Sequence, residues 1–144
     1  MKIFLALAIV CFLNLSLVQP READITGEWV NSRGNDKIDI IKNGDVYYGK
    51  LIWVKNGIDK HGNPLTDIHN PNPELRSRPL TGLELFSGLK YRGRNVWAGG
   101  KVYDPRSGKT YNCQMTLKNE NRLDIRSFFG LALLGKTESW KRPE

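Results

Sequence analysis

The chain has 144 residues with 22 basic and 15 acidic side chains, and its formal net charge is +7 at pH 7. Met1 and Lys2 precede an unbroken apolar run from Ile3 to Leu13. This run has the length of a signal peptide's apolar region, and it falls far below the roughly 20 residues of a transmembrane helix. The sequence therefore predicts an exported protein, periplasmic or secreted, without a transmembrane span.

Signal cleavage between residues 16 and 23 would leave one domain, because residues 24–144 are too few for two. Residues 1–23 hold Lys2, Arg21 and Glu22, so the remaining chain has 20 basic and 14 acidic residues. A positive exported protein favours anionic lipids or acidic glycans as partners over nucleic acid. The basic residues are scattered, however, and such a charge also serves general solubility.

Alternating apolar and polar residues dominate the chain after Asp24 and predict an all-β fold. Leu80–Leu89 fits either a short helix or another strand. Between the strands, Lys55–Pro79 contains four prolines and predicts a long, stiff, ordered loop. Seven or eight short strands with tight turns favour an antiparallel barrel or sandwich. The predicted strands are Ile25–Asn31, Asp36–Lys42, Val46–Val54, Asn95–Asp104, Lys109–Lys118, Arg122–Phe129 and Leu134–Lys141.

The long loop carries the best candidate for a ligand site. Arg76 and Arg78 flank Ser77 between prolines, and two guanidinium groups on a stiff loop can clamp a carboxylate or a phosphate. The same groups can instead bond carbonyls of the loop itself. Trp53, Trp97 and Tyr103 are the aromatic candidates for the apolar part of a ligand, although such side chains also commonly fill a barrel core.

Other patterns do not point to chemistry. Gly130–Thr137 fits the phosphate-loop spacing, but seven residues follow it and no helix can form there to hold a phosphate. The cluster Asp59, His61, Asp67 and His69 fits no known metal-binding spacing, and such residues are common in solvated loops. No nucleophile is paired with a base. We therefore expect no catalytic residue, no metal and no cofactor.

A set of motifs resembles a known family. Gly27-Glu28-Trp29 is similar to the opening Gly-x-Trp of lipocalins, in which the Trp closes the barrel floor. The wider pattern resembles a family of small exported bacterial proteins classed as a domain of unknown function. The resemblance implies a lipocalin-like β-barrel of about eight strands and an envelope location, and it brings no activity. The segments that carry it are Tyr48–Trp53, Asn70–Leu80, Gly82-Leu83, Trp97–Gly100, Tyr103–Pro105, Ser107–Tyr111, Leu134–Thr137 and Trp140.

The leading prediction for function is non-enzymatic binding of a small amphipathic or anionic ligand, or of an envelope lipid. Arg76 and Arg78 would contact an anionic head group, and the aromatic side chains would contact the apolar part. The first alternative is a structural or protein-interaction module of the envelope with a filled barrel. An exported hydrolase is the third.

Overall fold

The computed structural model describes residues 24–144 as an eight-stranded β-structure. The predicted signal peptide and its cleavage site lie outside the described residues. Within residues 24–144, no helix has the length and apolar character needed to cross a membrane. Two single-turn 3-10 helices lie at Pro73–Leu75 and Ala132–Leu134. The strands are β1 Gly27–Asn31, β2 Asp36–Asn43, β3 Val46–Val54, β4 Glu84–Tyr91, β5 Val96–Asp104, β6 Lys109–Asn119, β7 Arg122–Phe128 and β8 Lys136–Lys141.

All eight strands form one closed antiparallel barrel in chain order, which confirms the predicted fold class. The ring closes where Val30 and Asn31 of β1 pair with Lys141 and Trp140 of β8. The ambiguous segment Leu80–Leu89 contributes to strand β4 and not to a helix. Closure leaves no free sheet edge, so every strand has two hydrogen-bonded neighbours.

The two ends of the barrel differ in their connections. At one end, three short turns join β2 to β3, β4 to β5, and β6 to β7. We call this the closed end. At the opposite, open end lie the β1–β2 and β5–β6 turns and two longer loops. The flap, residues 55–83, joins β3 to β4, and the mouth loop, residues 129–135, joins β7 to β8.

Trp29 anchors the packed interior at the closed end. It has no exposed surface, and its indole Nε1 donates to the carbonyl of Ile25 at 2.9 Å. The guanidinium of Arg142 lies 4.0 Å from the ring centroid, and its Nη1 donates to the carbonyl of Thr26 at 2.8 Å. This arrangement is the barrel floor that the Gly-x-Trp resemblance implies. The other fully buried large apolar side chains are Trp97, Ile25, Ile38, Ile40, Leu89, Met115 and Leu123.

A bulge in β5 allows β4 and β5 to approach closely. The pairing of β5 with β6 shifts between Trp97 and Gly100. A Cβ atom at Gly100 would lie 2.6 Å from both Cγ of Leu89 and the carbonyl oxygen of Ser87. Only glycine fits there. The Gly99-Gly100 pair therefore combines a bulge with a close backbone approach.

Candidate functional site

The open half of the barrel contains a cavity of about 730 Å³. Its most buried lining side chains are Leu51, Phe86, Ile125 and Trp140. Val54, Leu85, Val102, Tyr111 and Phe128 continue the apolar wall toward the open end. The barrel is therefore packed at its closed end and hollow at its open end, and a cavity of this size is within the usual range for small-molecule sites.

A β-bulge in β3 determines which side chains at the end of this strand point into the cavity. Tyr47, Gly49 and Leu51 alternate inward, so simple alternation would place Trp53 inside as well. The β2–β3 register shifts at this point, and Leu51 and Trp53 face consecutive residues of β2 across the pairing. The extra residue reverses the alternation. Trp53 is consequently 41% exposed on the outer wall, with Nζ of Lys37 5.5 Å from its ring centroid, and Val54 lines the cavity.

The flap covers part of the open end and is held there by a buried carboxylate. Asp67 has no exposed surface, and its Oδ1 accepts the Tyr103 hydroxyl of β5 at 2.6 Å. Its Oδ2 accepts Nδ2 of Asn70 at 2.7 Å and Nη2 of Arg78 at 3.0 Å. Asp67 thus joins three parts of the flap to a barrel strand, while Leu65, Ile68 and Leu80 of the flap line the cavity.

The electrostatics of this anchor favour an ionised Asp67. Burial raises the pKa of its carboxyl group. Hydrogen bonds from Tyr103, Asn70 and Arg78, together with the charge of Arg78, lower that pKa by more than burial raises it. The net effect is a pKa below the ordinary value. Burial, followed by the bond to Asp67, raises the pKa of Tyr103 to about 12. Tyr103 therefore remains a neutral hydrogen-bond donor at physiological pH.

The β5–β6 turn provides a second fixed contact for the flap. Gly108 in this turn has a φ of +69°, and a Cβ atom there would clash with the carbonyl oxygen of His69. The backbone of the flap therefore rests directly on the turn. Any larger residue at position 108 would displace one of the two segments, in addition to the strain of its positive φ.

Charged side chains surround the mouth of the cavity. Nη2 of Arg106 bonds Oδ2 of Asp36 at 2.7 Å, and Nη2 of Arg33 lies 3.4 Å from Oε1 of Glu138. The β5–β6 turn that carries Arg106 and the β1–β2 turn next to Asp36 lie on opposite sides of the eight-stranded ring. Their ion pair therefore extends across the mouth. Lys136 also lines the cavity, and within residues 24–144 no ion pair or hydrogen bond holds its amine.

The predicted site residues do not form one group. Of the five, only Tyr103 lines the cavity. Nε of Arg76 donates to the carbonyl of Asn70 at 2.7 Å, and Arg78 bonds Asp67, so both guanidinium groups contact the flap itself. Trp97 lies in the packed half, with its ring centroid 4.9 Å from that of Tyr91 and 5.9 Å from that of Tyr47.

The minor patterns have ordinary structural surroundings. Asp59 accepts the backbone N–H groups of His61 and Asn63, which closes a turn in the flap. In the described part of the chain, no three His, Cys, Asp or Glu side chains lie together as a metal site would require. The phosphate-loop pattern at residues 130–137 covers the mouth loop and the start of β8, and a strand follows it. Cys113 is buried in β6, and burial raises the pKa of its thiol to about 12.

A closed antiparallel barrel of eight strands, packed at one end and hollow at the other, defines a lipocalin-like protein. The chain belongs to the family described as "Uncharacterized protein conserved in bacteria (DUF2147)", whose model matches residues 27–142. Among solved structures the chain is similar to one described as "Protein HP1028 from the human pathogen Helicobacter pylori belongs to the lipocalin family". The two chains are 26% identical, with 85% of each covered and a TM-score of 0.73. No curated protein matches the chain.

Proposed function

We propose that this protein binds a small amphipathic molecule or a lipid in its barrel cavity, without chemical conversion. The observation that carries the proposal is the cavity of about 730 Å³ with an apolar interior and a charged mouth. Transfer of apolar ligand surface from water into such a cavity is favourable by roughly 25 cal/mol per Å². The likeness to a structure described as a lipocalin supports the same class of function.

The distribution of polarity suggests how such a ligand lies. The deepest lining residues are Leu51, Phe86, Ile125 and Trp140, and the indole N–H of Trp140 is the one polar side-chain group among these four. The apolar part of the ligand therefore points toward the closed end. Its polar head lies at the mouth, where the charged side chains are found, because a buried head group without partners would lose its hydration.

Lys136 is our candidate for contact with an anionic head group. Arg33 and Arg106 already bond Glu138 and Asp36, so a ligand must compete with those carboxylates for them. The Lys136 amine has no such competitor among the described residues. Arg76 and Arg78, the cations chosen from the sequence, are engaged within the flap. We therefore assign the head-group contact to Lys136 instead of these two.

We further propose that binding takes place in the periplasm or outside the cell. This rests on the apolar run from Ile3 to Leu13 after Lys2. The intact mass of protein recovered from the exported fraction should lack the first 16 to 23 residues. A full-length cytosolic species as the main product would contradict export.

Native mass spectrometry of protein purified from its own host compartment tests the binding proposal. We expect a retained small molecule that dissociates on gentle activation. The envelope structural alternative requires a filled barrel, and the cavity argues against it. Recovery of ligand-free protein together with a stoichiometric protein partner would favour that alternative and contradict our proposal.

A further inference from the structure

We propose that the open end of the barrel docks onto an anionic lipid bilayer, with the mouth loop inserted among the lipids. The first observation is where exposed large apolar side chains are found. The described residues include ten, and eight of them belong to the flap or the mouth loop. Those eight are Ile58, Leu65, Ile68, Leu75, Phe129, Leu131, Leu133 and Leu134. Exposed apolar surface concentrated on one face of a molecule marks an interaction site.

The mouth loop is the most apolar part of this face. Phe129, Leu131, Leu133 and Leu134 are between 59% and 85% exposed, and residues 129–135 include no charged side chain. The loop is nevertheless held in a defined shape. The amide of Leu134 donates to the carbonyl of Leu131 at 3.1 Å, and Nη2 of Arg126 donates to the carbonyl of Leu133 at 3.0 Å. Because the polar contacts involve the backbone, the leucine side chains are left in solvent.

The charge of the open end is complementary to an anionic lipid surface. The connections at this end carry six basic residues, Arg33, Lys55, Lys60, Arg76, Arg78 and Arg106, against three acidic ones, Asp59, Asp67 and Glu74. The three turns at the closed end carry two of each sign. The positive end of the molecule is therefore also its apolar end. Apolar side chains on a basic surface are typical of proteins that insert into the bilayer interface.

The position of the cavity gives this docking a consequence. Phe129 and Leu134 of the mouth loop, and Leu65 and Ile68 of the flap, line the cavity as well as the exposed face. A docked barrel therefore opens its cavity toward the lipid acyl chains, and an amphipathic molecule can pass between them without crossing water. This consequence rests on the proposed function, whereas the docking itself does not.

Vesicle co-sedimentation tests the docking. The wild-type protein should sediment with vesicles of phosphatidylcholine mixed with phosphatidylglycerol, more strongly than with phosphatidylcholine alone, and less so at high salt. The double variant Leu131→Ser/Leu133→Ser should partition at least roughly tenfold more weakly, because it loses two large insertable side chains. Neither residue lines the cavity. Ile41→Ser removes an exposed apolar side chain from strand β2 and should sediment as the wild type does.

Two results would overturn the docking proposal. The first is no sedimentation of the wild type with either vesicle, and a solution dimer that the double variant loses would then assign the apolar face to self-association. The second is equal sedimentation of the wild type and the double variant. A titration with cis-parinaric acid, a fluorescent fatty acid, separates this proposal from the cavity proposal. The double variant should bind it as the wild type does, and failure of the wild type to bind it would count against the cavity without affecting the docking.

Discussion

At the scale of single residues, the cations around the mouth differ in whether a carboxylate already holds them. Lys136→Gln should weaken binding of the anionic probe cis-parinaric acid by roughly tenfold or more, because a charge-assisted hydrogen bond contributes about 1.5–3 kcal/mol. Fluorescence titration measures the effect. Binding of the uncharged probe N-phenyl-1-naphthylamine should change much less.

The matched control for this prediction is Lys50→Gln, which removes the same charge from an exposed position on β3 outside the cavity lining. It should leave both affinities near those of the wild type. If Lys50→Gln and Lys136→Gln lose the same affinity for cis-parinaric acid, the effect comes from net charge alone. That result would contradict a specific head-group contact.

The residue that closes the barrel should matter for stability more than any exposed aromatic side chain. Trp29→Ala removes a fully buried ring and its bond to Ile25, and large-to-small changes of this kind cost roughly 3–5 kcal/mol. The thermal midpoint should fall by roughly 10 °C or more. Trp53→Ala is the control because Trp53 is 41% exposed on the outer wall. If both variants melt with the wild type, Trp29 does not hold the barrel floor.

At the scale of elements, polar contacts among its own residues order the flap, and the bond between Asp67 and Tyr103 joins it to the barrel. Arg76→Gln/Arg78→Gln removes the bonds to the carbonyl of Asn70 and to the carboxylate of Asp67. A hydrogen bond to a charged group contributes about 1.5–3 kcal/mol, so local opening of the flap should become at least roughly tenfold more frequent. Hydrogen exchange should report faster exchange at residues 65–80 and little change in β5 and β6.

Lys60→Gln is the matched control, since it removes a flap charge that no described ion pair or hydrogen bond engages. Its exchange pattern should equal that of the wild type. The opposite result for the double variant would be unchanged exchange with tenfold weaker binding of cis-parinaric acid. It would show that the two arginines bind the ligand, as the sequence suggested, and that they do not hold the flap.

The elements also show which features a sequence pattern can predict. Alternation and turn residues predicted seven of the eight strands with ends within two residues of those observed, because each strand has one buried and one solvated face. Leu80–Leu89, which includes most of β4, was ambiguous because two register shifts occur between β3 and β4, and Leu85 and Phe86 both line the cavity. Alternation is lost wherever a bulge lies, and the same effect moved Trp53 to the outer wall.

The site itself was less predictable, because its residues come together only on closure of the ring. Tyr103 was chosen for its aromatic ring, and its contact with Asp67 joins residues 36 positions apart. The residues next to Arg78 in the sequence do not show that its partner is Asp67, a buried carboxylate of the same loop. Lys136 is the lysine of the phosphate-loop pattern at Gly130–Thr137, but rejection of that pattern left no reason to choose it as a site residue. Its place at the mouth depends on β8 lying between β7 and β1 in the closed barrel.

At the scale of the whole molecule, the packed closed half and the hollow open half have separate tasks. The large buried side chains at the closed end supply the apolar burial that stabilises a domain of this size. The open half can then keep its cavity at a tolerable energetic cost. The charged mouth, the apolar mouth loop and the flap all lie at this same end, so the proposed ligand entry, head-group contact and membrane docking all involve one face of the protein.

The central claim is that the cavity is the binding site, and one variant tests it most directly. Ser127 lies on β7 and lines the cavity, and Ser127→Trp would fill that space with an indole ring. Binding of cis-parinaric acid should weaken at least roughly tenfold, because the ring occupies the space of the acyl chain. Lys50→Trp, which adds the same ring to the outer wall, should bind as the wild type does. A folded Ser127→Trp protein with wild-type affinity would contradict the cavity as the site of binding.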